Sequence, residues 1–212
     1  AAHTGRWGGT DKINLQNLPS RENKALKESI MAPDGYKLID CDSSQIEARI
    51  LAWLSGQDDL MAAFENKEDV YIAMASTIFG EQEISVAQRF VGKTTILGAG
   101  YSMGAKKFKA QLAAMANIDI NEKEAKRIID TYRRKYPMIP TLWKSADKIL
   151  SAICNDRYTE FGRNNILKVE GRKGICLPNG FYISYPNLRY KPTTGNYVYD
   201  KKLGRQIVES NV

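Results

Sequence analysis

Apolar positions recur every three or four residues through most of the chain up to about residue 155 and alternate in short runs after it, so the sequence reads as helices followed by strands. Lys24 to Ile30 has the spacing of a short helical turn. Tyr36 to Asp42 alternates between two faces, which predicts a strand with Asp40 and Asp42 on the side of Leu38. The period then changes. Ser44 and Glu47 fit the Ser-x-x-Glu box that satisfies the first amides of a helix, and Ile46, Ile50, Trp53 and Leu54 give that helix one apolar stripe. A helix opening at Gln57-Asp58-Asp59 lines up Leu60, Ala63 and Phe64, and the next runs from Asp69 to Phe79, where Gly80 stops it. Ser85 with Gln88, and Asn121 with Glu124, mark the starts of two longer helices, the second ended by Pro137. Thr141 to Ile153 places Leu142, Ala146, Ile149 and Leu150 on one face. Beyond Arg157, hairpins are expected around Pro178-Asn179-Gly180 and around Thr193 to Asn196. The expected fold class is α+β, predominantly helical, with β-hairpins near the C-terminus.

Composition narrows the chemistry. The net charge of +7 fits an anionic partner such as nucleic acid, and equally many ordinary basic proteins. No apolar run reaches membrane-spanning length and no signal segment opens the chain, so no membrane partner and a cytoplasmic setting are expected. Cys41, Cys154 and Cys176 are odd in number and far apart, which agrees with reduced thiols. His3 is the only histidine, excluding His-based triads and multi-histidine metal sites and leaving carboxylates, Lys, Arg and Tyr to do any chemistry.

From spacing alone, Asp42, Ser44 and Glu47 read as helix-start residues, because caps are common and catalytic aspartates few. The string says more. Asp42-Ser43-Ser44-Gln45-Ile46-Glu47-Ala48-Arg49 resembles motif A of the family A DNA polymerases, departing at Ser43, usually Tyr, and at Ala48, usually Leu. The resemblance implies that Asp42 ligates catalytic Mg2+, a hard oxygen donor on a rigid strand end, and that Glu47 is a steric gate against the ribose 2'-hydroxyl. It also puts Arg49 among the residues expected to face DNA. The opening Thr4-Gly5-Arg6 and Asn14-Leu15-Gln16-Asn17-Leu18-Pro19 is similar to the segment that grips the primer-template duplex in that family, though Gly8-Gly9 replaces a usual Ser-Ser. Arg6, Asn14, Gln16 and Asn17 are donors suited to the acceptors that every base pair shows in the minor groove.

Arg89, Lys93, Leu97 and Tyr101 recur every four residues and make one slowly drifting helix face. Arg89-x-x-x-Lys93-x-x-x-Leu97-Gly98-x-x-Tyr101-x-x-Gly104 resembles motif B of the same family, the fingers helix that closes on the incoming dNTP. That implies fixed positive charge for a triphosphate at Arg89 and Lys93, and Tyr101 near the template base. Leu97 stands where Phe or Tyr is usual, as in some phage members, so a viral origin is expected. Tyr71 stands where the family usually has His and is expected near a phosphate oxygen.

The resemblance is clear from Thr4 to about Tyr136 and thin beyond it. Leu203 to Asn211 looks like the start of a palm helix with Arg205 on the template side, and motif C is not found. The expected division is a partial palm over 1–56, fingers helices over 57–155, and a β-hairpin region with the start of a palm helix over 156–212. The expected function is template-directed DNA synthesis by two-metal catalysis, with primer-template DNA and dNTP as partners, in a fragment inactive without the thumb and remaining palm. Two alternatives stand beside it: a single-subunit RNA polymerase, against which Glu47 argues, and a non-catalytic nucleic-acid-binding module.

Overall fold

The computed structural model describes residues 25–39 and 41–200, together with the backbone of 206–209. The chain divides into two units, Ala1–Ser44 and Gln45–Val212. In the first, α1 (Ala25–Glu28) is the single helical turn expected there. A turn follows in which Tyr36 N–H donates to Pro33 C=O at 3.0 Å. The strand expected over Tyr36 to Asp42 does not form among the described residues: the backbone has no ladder partner, and Leu38 and Ile39 are 62% and 86% exposed. Alternation makes a strand only when a neighbouring strand takes up its hydrogen bonds and one face is covered.

The second unit carries seven described helices: α2 (Ile46–Ser55), α3 (Asp58–Glu65), α4 (Val70–Phe79), α5 (Val86–Gly100), α6 (Ala105–Ala116), α7 (Glu122–Lys135) and α8 (Met138–Cys154). Their starts follow local chemistry. Asp69 caps α4 by accepting from the amides of Tyr71 and Ile72, Ser85 and Gln88 form a full capping box on α5, and Asn121 accepts from Glu124 N on α7. On α2 the N-cap is Gln45, one residue after the expected Ser44, left-handed at φ 55° and with no side-chain cap bond of its own. Pro137 ends α7, yet α8 resumes at Met138, three residues before the expected Thr141, because proline is tolerated at a helix start. Gln57 ties the two ends of this region together, its Oε1 accepting from Met138 N at 2.9 Å and its Nε2 donating to Asp59 at 2.6 Å.

One apolar cluster joins α2 to α8, centred on Met74, Phe108, Leu112, Ile128, Ile129, Tyr132 and Ile139. Helix α5 crosses it, packing on α2, α4, α6 and α7. A second cluster joins the end of α8, through Ile149, Ala152 and Ile153, to a four-stranded antiparallel sheet. That sheet is β1 (Tyr158–Phe161), β2 (Leu167–Glu170), β3 (Ile175–Cys176) and β4 (Tyr182–Ile183), in that order. Its register sets Thr159, Val169, Ile175 and Ile183 in one row, the row that supplies Val169, Ile175 and Ile183 to the cluster. A three-stranded antiparallel sheet follows: β5 (Arg189–Lys191), β6 (Asn196–Asp200) and β7 (Gln206–Glu209). The palm helix expected from Leu203 is corrected here, since 206–209 pairs with β6 through Val198↔Val208 and Tyr199↔Ile207. A ready strand edge and the β-branched pair Ile207-Val208 outweigh the local helical pattern.

Candidate functional site

The stripe predicted on α5 is the accessible side of an otherwise buried helix. From Val91 to Gly100 every residue is buried except Lys93 and Leu97, and Tyr101 at the C-cap is 67% exposed. The burial of the rest has a backbone cause. A Cβ on Gly92 would stand 2.1 Å from the Tyr71 carbonyl oxygen, so α4 and α5 touch main chain to main chain.

On its other flank α5 does not close. A cleft of about 410 Å³ lies between it and α2, lined by Glu47, Ile50, Leu51 and Leu54 from one side and Leu97 and Tyr101 from the other. The apolar stripe assigned to α2 therefore has a different destination. Ala48, Ala52 and Ser55 are the buried positions of α2, whereas Ile46 and Ile50 are 47% and 53% exposed and border the cleft. Small residues let α2 approach its neighbours, and the larger apolar ones are left as walls.

At the other end of the stripe, Arg89 donates through Nε and Nη2 to Asp69 Oδ2, both at 2.8 Å, and its guanidinium lies 5.3 Å from the centre of the Tyr71 ring. Asp69 pays a burial penalty, but Arg89 and the capping amides outweigh it and hold its carboxyl below the usual range. Burial pushes the Tyr71 phenol up. Lys93, one turn on and half-buried, has no partner among the described residues.

This cleft joins the two strings that resemble motifs A and B, which lie some fifty residues apart in the sequence. The family model described as DNA polymerase family A matches residues 1–173. The chain belongs to DNA polymerase family A. Among curated members it is similar to DNA polymerase I of Pseudomonas aeruginosa, 39% identical over 140 residues, which is 64% of this chain and 15% of that protein. It is likewise similar to DNA polymerase I of Helicobacter pylori, 35% identical over 78% of this chain and 18% of that protein. The thermostable DNA polymerase I of Thermus aquaticus is 33% identical over 66% of this chain and 16% of its own length. The chain thus spans less than a fifth of these relatives. Among solved structures, the POL domain of Pol1 from M. smegmatis in complex with DNA primer-template and dNTP matches with a TM-score of 0.58 and 28% identity, over 75% of this chain and 27% of that one.

The residues expected at the site from the resemblance divide by location. Glu47, Leu97 and Tyr101 meet in the cleft. Arg89, Lys93 and Tyr71 lie along α5 and the start of α4. Arg49, expected to face DNA, stands 4.6 Å over the Phe64 ring and donates to the Phe64 carbonyl at 3.5 Å, so it links α2 to the end of α3. Asp42 is exposed in the first unit. Arg6, Asn14, Gln16, Asn17 and Arg205 lie outside the described residues, as does Asp40. Among the described residues no three of His, Cys, Asp and Glu gather as a metal site. Asp42 fits one hard-oxygen position of a divalent-cation site and does not fill it. No helix among the described residues is long and apolar enough to cross a membrane.

Three positions beside these residues escaped the sequence. Asp69 carried only the signal of an N-cap, and its bond to Arg89 bridges twenty residues of chain. The walls Ile46 and Ile50 carried the signal of core.

Proposed function

We propose that this chain supplies the nucleotide-binding part of a DNA polymerase that joins dNTPs to a primer 3' end under template direction. The observation that carries the reading is the cleft in which Glu47 of the motif A string faces Leu97 and Tyr101 of the motif B string. The M. smegmatis neighbour, which holds primer-template and dNTP, supports the same assignment.

In this reading the apolar walls Ile46, Ile50 and Leu54 exclude water from the face of the sugar. Glu47 occupies the space a 2'-hydroxyl would need, and Leu97 presents a branched aliphatic surface to the ribose. Tyr101 offers its exposed ring to the template base. Arg89 and Lys93 bring cations to the triphosphate, with Tyr71 holding the Arg89 guanidinium from one face. Residues 57–155 are proposed as fingers helices, with 1–56 as partial palm. Asp42 is proposed as a Mg2+ ligand, and Arg6, Asn14, Gln16, Asn17 and Arg205 as DNA contacts. Bound divalent ions supply the charge that stabilises attacking and leaving oxygens in such a transfer.

Primer extension by a polypeptide comprising this chain and the rest of a family A polymerase tests the reading. Extension with dNTPs and not rNTPs is expected, with rNTP use rising on Glu47→Ala. Preferential use of rNTPs with Glu47 intact points to an RNA polymerase, and DNA binding without any extension points to a non-catalytic module. Asp42→Asn is expected to abolish extension while leaving DNA binding in place.

A further inference from the structure

Asp69 divides its carboxylate between two tasks. Oδ1 accepts the amides of Tyr71 and Ile72 at 3.0 and 3.1 Å and so fixes where α4 begins. Oδ2 takes Nε and Nη2 of Arg89, which reaches across from the first turn of α5. The same stretch of α4 turns its Tyr71 ring to the Arg89 guanidinium, and one turn further along α5 the Tyr71 carbonyl abuts Gly92. Arg89 is therefore gripped along one edge and over one face, by a helix start that is itself locked to α5. A guanidinium has five N–H donors in a fixed fork. Two of them are engaged, and those on Nη1 have no partner among the described residues.

We propose that Asp69 is a positioning residue: it holds Arg89 with its Nη1 edge presented to the triphosphate of the incoming nucleotide. This rests on the nucleotide-binding reading above. A long arginine free to swing loses rotamer freedom when it binds a phosphate, and the Asp69 grip meets that loss beforehand. The grip also places a negative charge near the ligand. Both partners are substantially solvent-exposed, at 43% and 34%, so salt screens that repulsion while leaving the orientation intact. At physiological ionic strength the positioning effect dominates.

The division of labour between the two oxygens makes the proposal separable from a structural role. Asp69→Asn retains an oxygen for the cap and turns an NH2 toward Arg89, which then lets go, and Asn caps helices as well as Asp. Asp69→Ser also caps but is too short to reach Arg89. Calorimetric titration of the chain with inorganic tripolyphosphate in 0.15 M salt provides the readout, alongside the thermal midpoint and far-ultraviolet circular dichroism of each variant. The expected result is binding weakened roughly three- to tenfold in Asp69→Asn and in Asp69→Ser, the scale of one charge-assisted contact losing its geometry, with helix content unchanged. Arg89→Ala weakens binding further, and adding Asp69→Asn to it changes nothing more. Unchanged or tighter binding in Asp69→Asn overturns the proposal while leaving the triphosphate site standing. So does an equal loss in the Arg89→Ala background. If the unmodified chain binds no tripolyphosphate, both the site and the proposal fall.

Discussion

Against α4, helix α5 lies so close that a single methyl at Gly92 would meet the Tyr71 carbonyl at 2.1 Å and the Ala75 amide nitrogen at 3.1 Å. Against α2 the same helix stands off, leaving a cleft of about 410 Å³ walled by exposed isoleucines. Both flanks contain glycine, but to different ends. Gly92 is a point of backbone contact, whereas a Cβ on Gly100 would meet only the Leu51 Cδ2 methyl at 3.0 Å and the Tyr132 hydroxyl at 3.5 Å. One flank fixes where α5 sits, and the other leaves an open cleft. Rigidity on one side is what allows an open site on the other to keep its shape.

The sharpest way to break this contrast is a pair of alanines. Gly92→Ala is expected to cost about 3 kcal/mol or more, because backbone atoms cannot step aside as a side chain can. Gly100→Ala is expected to stay within about 1 kcal/mol of the parent, since Leu51 can rotate into the cleft and alanine improves helix propensity. Urea denaturation of the two variants decides it. Equal costs would mean that the two flanks are packed alike.

How far the sequence announced these flanks depends on the range of each interaction. The caps at Asp69, Ser85 and Asn121 were legible because cap and amide lie within four residues. So was the stripe Arg89, Lys93, Leu97 and Tyr101, which is a matter of period alone. The amphipathic pattern of α2 was read correctly as two faces and wrongly as to which was covered. Periodicity separates Ile46 and Ile50 from the polar residues but does not say that Ala48 and Ala52 take the core. The strand at Tyr36 to Asp42 and the helix at Leu203 failed for one reason: a strand is decided by its neighbour, absent for the first among the described residues and provided by β6 for the second. The motif strings carried the candidate site through family resemblance, whereas the Asp69–Arg89 bond needed the fold.

A second test concerns the core that α5 packs on. Tyr132 and Tyr136 are 1% and 3% exposed, with ring centres 5.3 Å apart in an edge-to-face pair. Burial raises the Tyr132 phenol first, with Tyr136 adding to it. Burial likewise raises Tyr136, with the negative charges of Asp59 and Glu68 adding to it. Both therefore stay protonated in the fold beyond the ordinary phenol value of about 10, at which the unfolded chain loses its protons. Stability is fully present below about pH 10 and falls as pH rises above it, by about 1.4 kcal/mol per pH unit for each phenol. Denaturation midpoints measured between pH 8 and 11, with absorbance at 295 nm following phenolate, give the check. Phenolate appearing from either tyrosine before unfolding would show that water reaches this part of the core.

The smallest effect on stability is expected at Leu97, and that is what makes the position informative. Leu97 is half-buried and faces the cleft, so Leu97→Phe adds its ring to empty space and should move the denaturation midpoint by less than about 1 kcal/mol. The ring restores a flat surface opposite Glu47, the shape usual in the family, and an aromatic contact of this kind is worth about 0.5–1.5 kcal/mol to a partner that stacks on it. Nucleotide affinity and discrimination between deoxy and dideoxy sugars should therefore change together, by several-fold, while the fold does not register the substitution. A large loss of stability would place Leu97 against the closed flank of α5. Unchanged affinity and discrimination would mean that the sugar does not lie in this cleft.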